Sequence, residues 1–202
     1  AVTDRAWTGR QSLYEQVEAA LKGGATCIQL REKDLNEEDF LRESIEMAAL
    51  CKKYKVPFLI NDNVEIAIKC HADGVHVGQK DMEASQVRQR VGKDMIIGVS
   101  AHSVEEALEA VKSGADYLGV GAVFSTSTKS DAEVLSRQVL RDICSAVDIP
   151  VVAIGGISKT NISQLSGTGV DGVALVSAIF AAENIEDECC MLRRLSEEMV
   201  KG

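Results

Sequence analysis

The sequence has no apolar run long enough to cross a membrane and no excess of basic residues. None of its hydrophobic stretches approaches the ~18 residues that a membrane-spanning helix requires. Its 202 residues carry a net charge of −9, which argues against general nucleic-acid binding, because that needs a basic face. We therefore expect neither nucleic acid nor a membrane as a partner, whereas a few local Lys and Arg residues can still bind small anions.

The sequence also lacks the paired cysteines of a zinc site or a disulfide framework. It has six cysteines, and none of them forms a C-x-x-C pair. Most stand in apolar contexts, as Cys27 does in the stretch TCIQL. We expect them to be small core residues in a reducing compartment, and hence a cytoplasmic protein.

Short apolar segments recur along the chain and alternate with helical patterns. The apolar segments lie near residues 1–3, 26–30, 58–60, 74–77, 96–100, 117–120, 151–154 and 172–176. They are nearly continuous, which is typical of parallel strands that are buried on both faces. The helical patterns lie near 11–22, 37–53, 83–91, 103–114, 136–146, 159–166 and 185–199.

This alternation predicts the α/β class, as a single (βα)8 TIM barrel with a closed eight-stranded parallel sheet over residues 1–202. The length suits one domain. Because the sequence starts abruptly at AVTDR, we expect the first strand to be truncated at its N-terminus. A doubly wound open sheet is the alternative, but the first strand is followed by no glycine fingerprint, which favours closure.

Polar residues follow most of the predicted strands at their carboxyl ends, where TIM barrels place their active sites. Arg31 and Lys33 alternate along an extended segment, so both can face one anion. Asp62 and Asp81 end neighbouring strands, and two such oxygen ligands suit Mg²⁺ shared with substrate phosphates.

A second anion site is predicted where the last two strands end. Gly155 and Gly156 follow one strand and Ser177 follows the other, which is where barrels of this kind often bind a phosphate through backbone N–H groups.

Each of these features also has a structural interpretation that the residues alone leave open. Arg31 and Lys33 could form ion pairs with the acidic residues at 32 and 34. Asp62 could cap the helix that follows it, and two adjacent glycines often make only a turn. His76 suits a structural role in its strand.

Seven motifs recur in order at the predicted strand ends: QLREKD, INDN, ADGVHVGQKD, GVSAHS, ADYLGVGAVFSTSTKSD, PVVAIGGI and GVALVSAI. Together they resemble the thiamine-phosphate synthase family over nearly the whole chain. The resemblance implies a Mg²⁺-dependent transferase. It would couple 4-amino-2-methyl-5-hydroxymethylpyrimidine diphosphate with 4-methyl-5-(2-phosphoethyl)thiazole to give thiamine monophosphate and pyrophosphate, through a dissociative pyrimidine-cation mechanism.

The resemblance also implies a role for each residue that matches a motif. The pyrimidine diphosphate would contact Gln29, Arg31, Lys33, Asn61, Ser100 and Lys129, the thiazole phosphate would contact Thr126, Thr128, Gly156, Val176 and Ser177, and Mg²⁺ would bind Asp62 and Asp81. The catalytic members would be those that stabilise the leaving pyrophosphate: Arg31, Lys33, Ser100 and Lys129. The partners are then two small molecules, and the sequence leaves a homo-oligomer open.

Two other functions remain as alternatives. A related thiazole tautomerase family uses a histidine in the segment after the sixth predicted strand, where this chain has Gly121, Ala122 and Val123. A non-catalytic phosphate-binding barrel would not need the paired aspartates together with Lys129. The chain departs from the synthase pattern at Ala122 and Ser125, where that family often has proline.

The substitution Lys129→Ala tests the synthase interpretation. If Lys129 neutralises the leaving pyrophosphate, its removal should lower kcat by about 10²–10³-fold, comparable to the loss of an oxyanion-stabilising donor. Initial rates of thiamine monophosphate formation measure this, with circular dichroism as the control for folding. Near-normal turnover would refute the role.

Overall fold

The computed structural model describes residues 1–126 and 134–202. Within them, one parallel sheet contains seven strands in chain order: β1 (Ile28–Leu30), β2 (Phe58–Asn61), β3 (Gly74–Val77), β4 (Ile96–Ala101), β5 (Tyr117–Val120), β6 (Val151–Ile154) and β7 (Gly172–Ala174). The same part of the chain forms eight α-helices: α1 (Leu13–Lys22), α2 (Glu37–Tyr54), α3 (Val64–Lys69), α4 (Ala84–Val91), α5 (Val104–Lys112), α6 (Arg137–Ala146), α7 (Ser177–Phe180) and α8 (Ile185–Lys201). Two 3-10 helices, Arg5–Trp7 and Ile162–Leu165, complete the described elements.

The structure contradicts the predicted closed, eight-stranded TIM barrel. The described chain forms an open half-barrel of seven strands, because residues 1–3 make only an isolated bridge between Val2 and Gln29. Directly after this bridge, the Asp4 side chain accepts the N–H of Ala6 at 2.9 Å and caps the first 3-10 helix. The chain therefore turns away before a ladder of hydrogen bonds can form.

The N-terminal segment still contacts both edges of the sheet. Besides its bridge to β1, Val2 donates its N–H to the carbonyl of Leu175, just beyond β7, at 2.9 Å. The side-chain hydroxyl of Thr3 accepts the N–H of Arg31 at 3.0 Å. The segment is thus fixed beside the loop that follows β1, although it adds no strand.

The seven other predicted strands are confirmed, and their ends differ from the prediction by two residues at most. All four residues of β3 are buried, whereas β6 alternates between buried and half-buried residues and β7 is half-buried throughout. The short helices α3 and α7 were not predicted, and the pattern at 159–166 forms a 3-10 helix. No helix in residues 1–126 and 134–202 is both long and apolar enough to cross a membrane.

Six of the eight described α-helices begin at a side chain that accepts a backbone N–H group. Ser12 and Glu15 form a capping box at α1, and Asn36 accepts from Asp39 at the start of α2. The apolar faces of these helices bury residues such as Val17 and Met47. This packing of helices on strands fixes the carboxyl ends of the strands relative to one another.

Candidate active site

The loop after β1, residues 31–36, brings two basic side chains to the carboxyl edge of the sheet. Arg31 Nη1 lies 3.2 Å from Asp4 Oδ2, and Lys33 Nζ lies 2.6 Å from Asp62 Oδ2. Both partners come from other segments, so the ion pairs with residues 32 and 34 that the sequence left open are not observed. A cleft of about 340 Å³ is lined by residues 4–6 and 31–34.

Two carboxylates meet beside this basic pair. Asp62 follows β2, and an oxygen of Asp81 accepts the N–H of Gly78 at 2.7 Å in the loop after β3. Burial raises the pKa of Asp81, and the adjacent Asp62 carboxylate raises it further, although the Gly78 N–H opposes both effects. The two side chains are therefore close enough to repel each other when both are ionised.

The conformation of Asp62 excludes the simpler role of a helix cap. Asn63 caps α3, because its side chain accepts the N–H of Ile66 at 3.0 Å. Asp62 has a φ of 64°, a value that is uncommon for a residue other than glycine and that is tolerated best by Asn and Asp. Its N–H donates to the carbonyl of His76 at 2.7 Å, which anchors the turn on β3.

The acidic pair fits a divalent cation of the Mg²⁺ type. Across residues 1–126 and 134–202, no group of three His, Cys, Asp or Glu side chains could hold a metal ion. Mg²⁺ commonly binds through one or two carboxylates and completes its shell with water and substrate phosphates. Asp62 and Asp81 could supply those two carboxylates, and a cation between them would relieve their repulsion.

A chain of polar side chains crosses the inner face of the sheet below these residues. Nδ1 of His76 lies 2.8 Å from the Tyr117 hydroxyl, and Nε2 lies 3.0 Å from Oγ of Ser100. The Gln29 side chain hydrogen-bonds the same tyrosine, whose pKa is raised by burial. Gln29 and Ser100, both predicted site residues, are thus joined through two side chains from other strands.

The His76 imidazole, which links Tyr117 to Ser100, is neutral at physiological pH. His76 is 9% exposed, and burial lowers its pKa to about 4 although the Asp62 charge acts in the opposite direction. A neutral imidazole has one donor and one acceptor nitrogen, so its two contacts have opposite polarity. In the tautomer with the proton on Nε2, His76 donates to Ser100 Oγ and leaves the Ser100 hydroxyl able to donate to another group.

Two glycines in the strands make room for these rings. A Cβ at Gly98 would lie 2.2 Å from the Tyr117 ring, and one at Gly119 would lie 2.9 Å from the His76 ring. The sequence predicts only a structural role for His76 and indicates no role for Tyr117. Glycine inside a strand marks the close approach of another group, and that signal in GVS and LGV could have located the pair.

The second predicted anion site lies where β6 and β7 end. Ile154 and Ala174 are partners in the sheet, so Gly156 and Val176 follow at equivalent positions. Gly156 has a φ of 64°, and a Cβ there would lie 2.3 Å from the carbonyl oxygen of Ser125. Glycine is required at this position by both its conformation and its surroundings.

Backbone donors remain at this end of the sheet. In the hydrogen bonds of residues 1–126 and 134–202, the N–H groups of Gly156 and Ser177 donate to no described acceptor. Asn161 holds the turn by donating its side-chain amide to the Gly156 carbonyl at 2.9 Å. Thr126 is half-buried, whereas Thr128 and Lys129 lie outside the described residues.

The remaining predicted residue, Asn61, ends β2 and is the sheet partner of His76. Gln79 donates its side-chain amide to the Ser100 carbonyl at 2.6 Å, which ties the loop after β3 to β4. The structure thus groups the predicted residues around two ends of one edge, with the basic and acidic pairs at β1–β3 and the glycine turn at β6–β7.

Comparison with known proteins identifies the family. The family model described as thiamine monophosphate synthase matches residues 1–179. The chain belongs to this family. Thiamine-phosphate synthase from Clostridium acetobutylicum is 49% identical over 187 residues, covering 93% of this chain and 89% of that protein. The corresponding protein from Ruminiclostridium cellulolyticum is 51% identical over 185 residues, covering 92% and 88%.

A solved structure of the family has the same fold. Thiamine phosphate pyrophosphorylase from Pyrococcus furiosus superposes with a TM-score of 0.91 at 41% identity, covering 98% of this chain and 95% of that one. These matches confirm the resemblance inferred from the motifs, and the chain is a transferase of thiamine biosynthesis.

The buried imidazole makes stability depend on pH. Because the pKa of His76 is about 4 in the folded protein and 6.5 ordinarily, the unfolded chain binds a proton in this interval and the folded chain does not. The contribution of the neutral His76 side chain to the free energy of unfolding is therefore complete above pH 6.5. Between pH 6.5 and pH 4 it decreases on acidification, by up to about 1.4 kcal/mol per pH unit. Urea unfolding of wild type and His76→Gln should give a steeper pH dependence for wild type, and equal slopes would contradict the assignment.

Proposed function

We propose that the chain couples 4-amino-2-methyl-5-hydroxymethylpyrimidine diphosphate with 4-methyl-5-(2-phosphoethyl)thiazole, forming thiamine monophosphate and releasing pyrophosphate. The observation that carries this proposal is the ion pair of Lys33 with Asp62, which brings the basic loop after β1 against the Asp62–Asp81 pair at one edge of the sheet. Family membership supplies the reaction, since the curated relatives are thiamine-phosphate synthases.

The basic pair would bind the diphosphate. Arg31 and Lys33 now pair with Asp4 and Asp62 at distances of 3.2 and 2.6 Å. Both cations are partly exposed, so they can exchange these carboxylates for phosphate oxygens without a change of fold. Lys129, placed by its motif in the segment after β5, would add a third positive charge.

We propose that Asp62 and Asp81 hold Mg²⁺ when the diphosphate is present. The bound ion would neutralise charge on the phosphate oxygens. Lys33 would then be released from Asp62 to contact the diphosphate itself, while the N–H of Gly78 keeps the Asp81 carboxylate in place. The raised pKa of Asp81 supports this proposal, because a carboxylate pair of this kind is stabilised by a cation.

The chain would promote cleavage of the C–O bond by stabilising the charge that leaves on pyrophosphate. Ser100 would donate its hydroxyl to a departing oxygen, and the contact with His76 at 3.0 Å orients that hydroxyl. Gln29 and Asn61 would hold the pyrimidine ring by their amides. The cation left on the pyrimidine needs a site that excludes water, since water competes as a nucleophile.

The thiazole phosphate would bind at the other end of the edge. Backbone N–H groups of Gly156, Val176 and Ser177 would hold its phosphate, and Thr126 and Thr128 would contact the thiazole. The ring nitrogen is itself a nucleophile, so the bond to the pyrimidine can form without a nucleophilic or strongly basic side chain. The bond to the pyrimidine would form between the two anion sites.

An assay with both substrates and Mg²⁺ tests the proposed function. We expect thiamine monophosphate and pyrophosphate to appear in equal amounts, and only when both substrates are present. Isomerisation of the thiazole without coupling would indicate the tautomerase instead, and binding without any turnover would indicate a non-catalytic barrel.

Removing either aspartate should change the requirement for the metal. Asp62→Asn and Asp81→Asn should each raise the Mg²⁺ concentration for half-maximal activity by at least about tenfold, since metal ligation is weakened. Asp94→Asn is the matched control, because this exposed residue precedes β4 at the opposite end of the sheet. A Mg²⁺ titration that is the same for all four proteins would exclude the proposed metal site.

A further inference from the structure

The acidic residue between Arg31 and Lys33 is buried in the loop after β1. Glu32 is buried, and its side chain is 2% exposed. One carboxylate oxygen accepts the backbone N–H groups of Lys33 at 2.8 Å and Asp34 at 2.9 Å, with a longer contact to Leu35 at 3.4 Å. Three successive N–H groups of the loop therefore converge on a single side chain.

The second oxygen of Glu32 is held by Arg5. The Nε of this arginine donates to Glu32, and its Nη2 donates to both oxygens of Glu43 on α2 at 2.6 and 2.7 Å. Arg5 thus links the first 3-10 helix, the loop and α2. Since Asp4 pairs with Arg31, the N-terminal segment fixes the loop at two neighbouring points.

The charge of Glu32 is compensated within this arrangement. Burial by itself would raise the pKa of Glu32, but the N–H of Asp34 and the Arg5 guanidinium outweigh it and hold that pKa below its ordinary value. The carboxylate therefore stays ionised at neutral pH. Its hydrogen bonds are charge-assisted, which makes them stronger than bonds between neutral groups.

The buried position of Glu32 leaves its two basic neighbours directed to the surface of the loop. The Glu32 side chain is 2% exposed, whereas the side chains of Arg31 and Lys33 on either side of it are 28% and 50% exposed. With Glu32 fixed inward, Arg31 and Lys33 are directed outward together, and their ammonium and guanidinium groups reach carboxylates of different segments.

We propose that Glu32 is a positioning residue for anion binding: it shapes the loop after β1 so that Arg31 and Lys33 bind one diphosphate. This inference rests on the proposed function for the identity of the anion. It assigns a role to a residue that carries the same sign of charge as the ligand and does not contact it.

Whether replacing Glu32 weakens or strengthens anion binding distinguishes a positioning role from a purely electrostatic one. Removing a negative charge near an anion site should strengthen anion binding if charge alone matters. If Glu32 positions the loop, its removal should weaken binding. Glu43→Gln is the matched control, because Glu43 shares Arg5 with Glu32 but makes no bond to the loop.

The test is calorimetric titration of inorganic pyrophosphate with Mg²⁺ into wild type, Glu32→Ala, Glu32→Gln and Glu43→Gln. Glu32→Ala should raise Kd by about 10- to 100-fold, the range seen for residues that orient a ligating group. Glu32→Gln should raise Kd less, because its amide oxygen still accepts loop N–H groups. Glu43→Gln should stay within about twofold of wild type, since the loop bonds are kept.

Steady-state kinetics supply a second readout. The KM for the pyrimidine diphosphate should rise in the Glu32 variants while the KM for the thiazole phosphate is unchanged. If Glu32→Ala does not fold, Glu32→Gln carries the test. Unchanged or tighter pyrophosphate binding by a folded Glu32 variant, or wild-type protein that binds no pyrophosphate, would overturn the proposal.

These outcomes are distinct from failure of the proposed function. If wild type binds pyrophosphate and the Glu32 variants do not, but no thiamine monophosphate forms, the positioning role stands and the coupling reaction is wrong. If thiamine monophosphate forms and the Glu32 variants bind pyrophosphate as wild type does, the coupling reaction stands and the positioning role of Glu32 is wrong.

Discussion

The parallel direction of the seven strands in the described part of the chain determines what can be bound at one edge of the sheet. Because neighbours in the sheet are also neighbours in the chain, every segment that leaves a strand emerges at the same edge. Short loops then bring side chains together from positions far apart in sequence, such as Lys33 and Asp62. The helices on the outer face bury the apolar residues of the strands, and their packing keeps this edge in one arrangement.

The basic side chains at the carboxyl edge of the sheet form ion pairs with acidic ones, although the chain carries a net charge of −9. Arg31, Lys33 and Arg5 each contact a carboxylate from another segment. Such pairs keep cations at the site and leave them able to exchange partners when a phosphate arrives. The phosphate site proposed at Gly156 and Ser177 would be of a different kind, because backbone N–H groups need no basic side chain to bind an anion.

The sequence allowed much of this to be predicted, because buried parallel strands have nearly continuous apolar stretches and the site residues follow them directly. Asp62 and Asp81 could be paired on this basis, and the seven central strands were located to within two residues. The prediction of a closed barrel was wrong. The hydrophobic pattern alone does not reveal that the chain turns at the Asp4 cap directly after residues 1–3, which leaves those residues as an isolated bridge and not a strand. The bonds between His76, Tyr117 and Ser100 also escaped prediction, because they join three strands through side chains whose directions depend on the sheet register.

The central claim is that one edge of the sheet holds a diphosphate and a phosphate at separate ends, with the reacting atoms between them. A crystal structure with thiamine monophosphate, pyrophosphate and Mg²⁺ tests it most directly. We predict pyrophosphate against Arg31 and Lys33, the metal on Asp62 and Asp81, and the product phosphate on the N–H groups of Gly156 and Ser177. Pyrophosphate or product phosphate bound elsewhere, or a metal without either aspartate, would contradict the account.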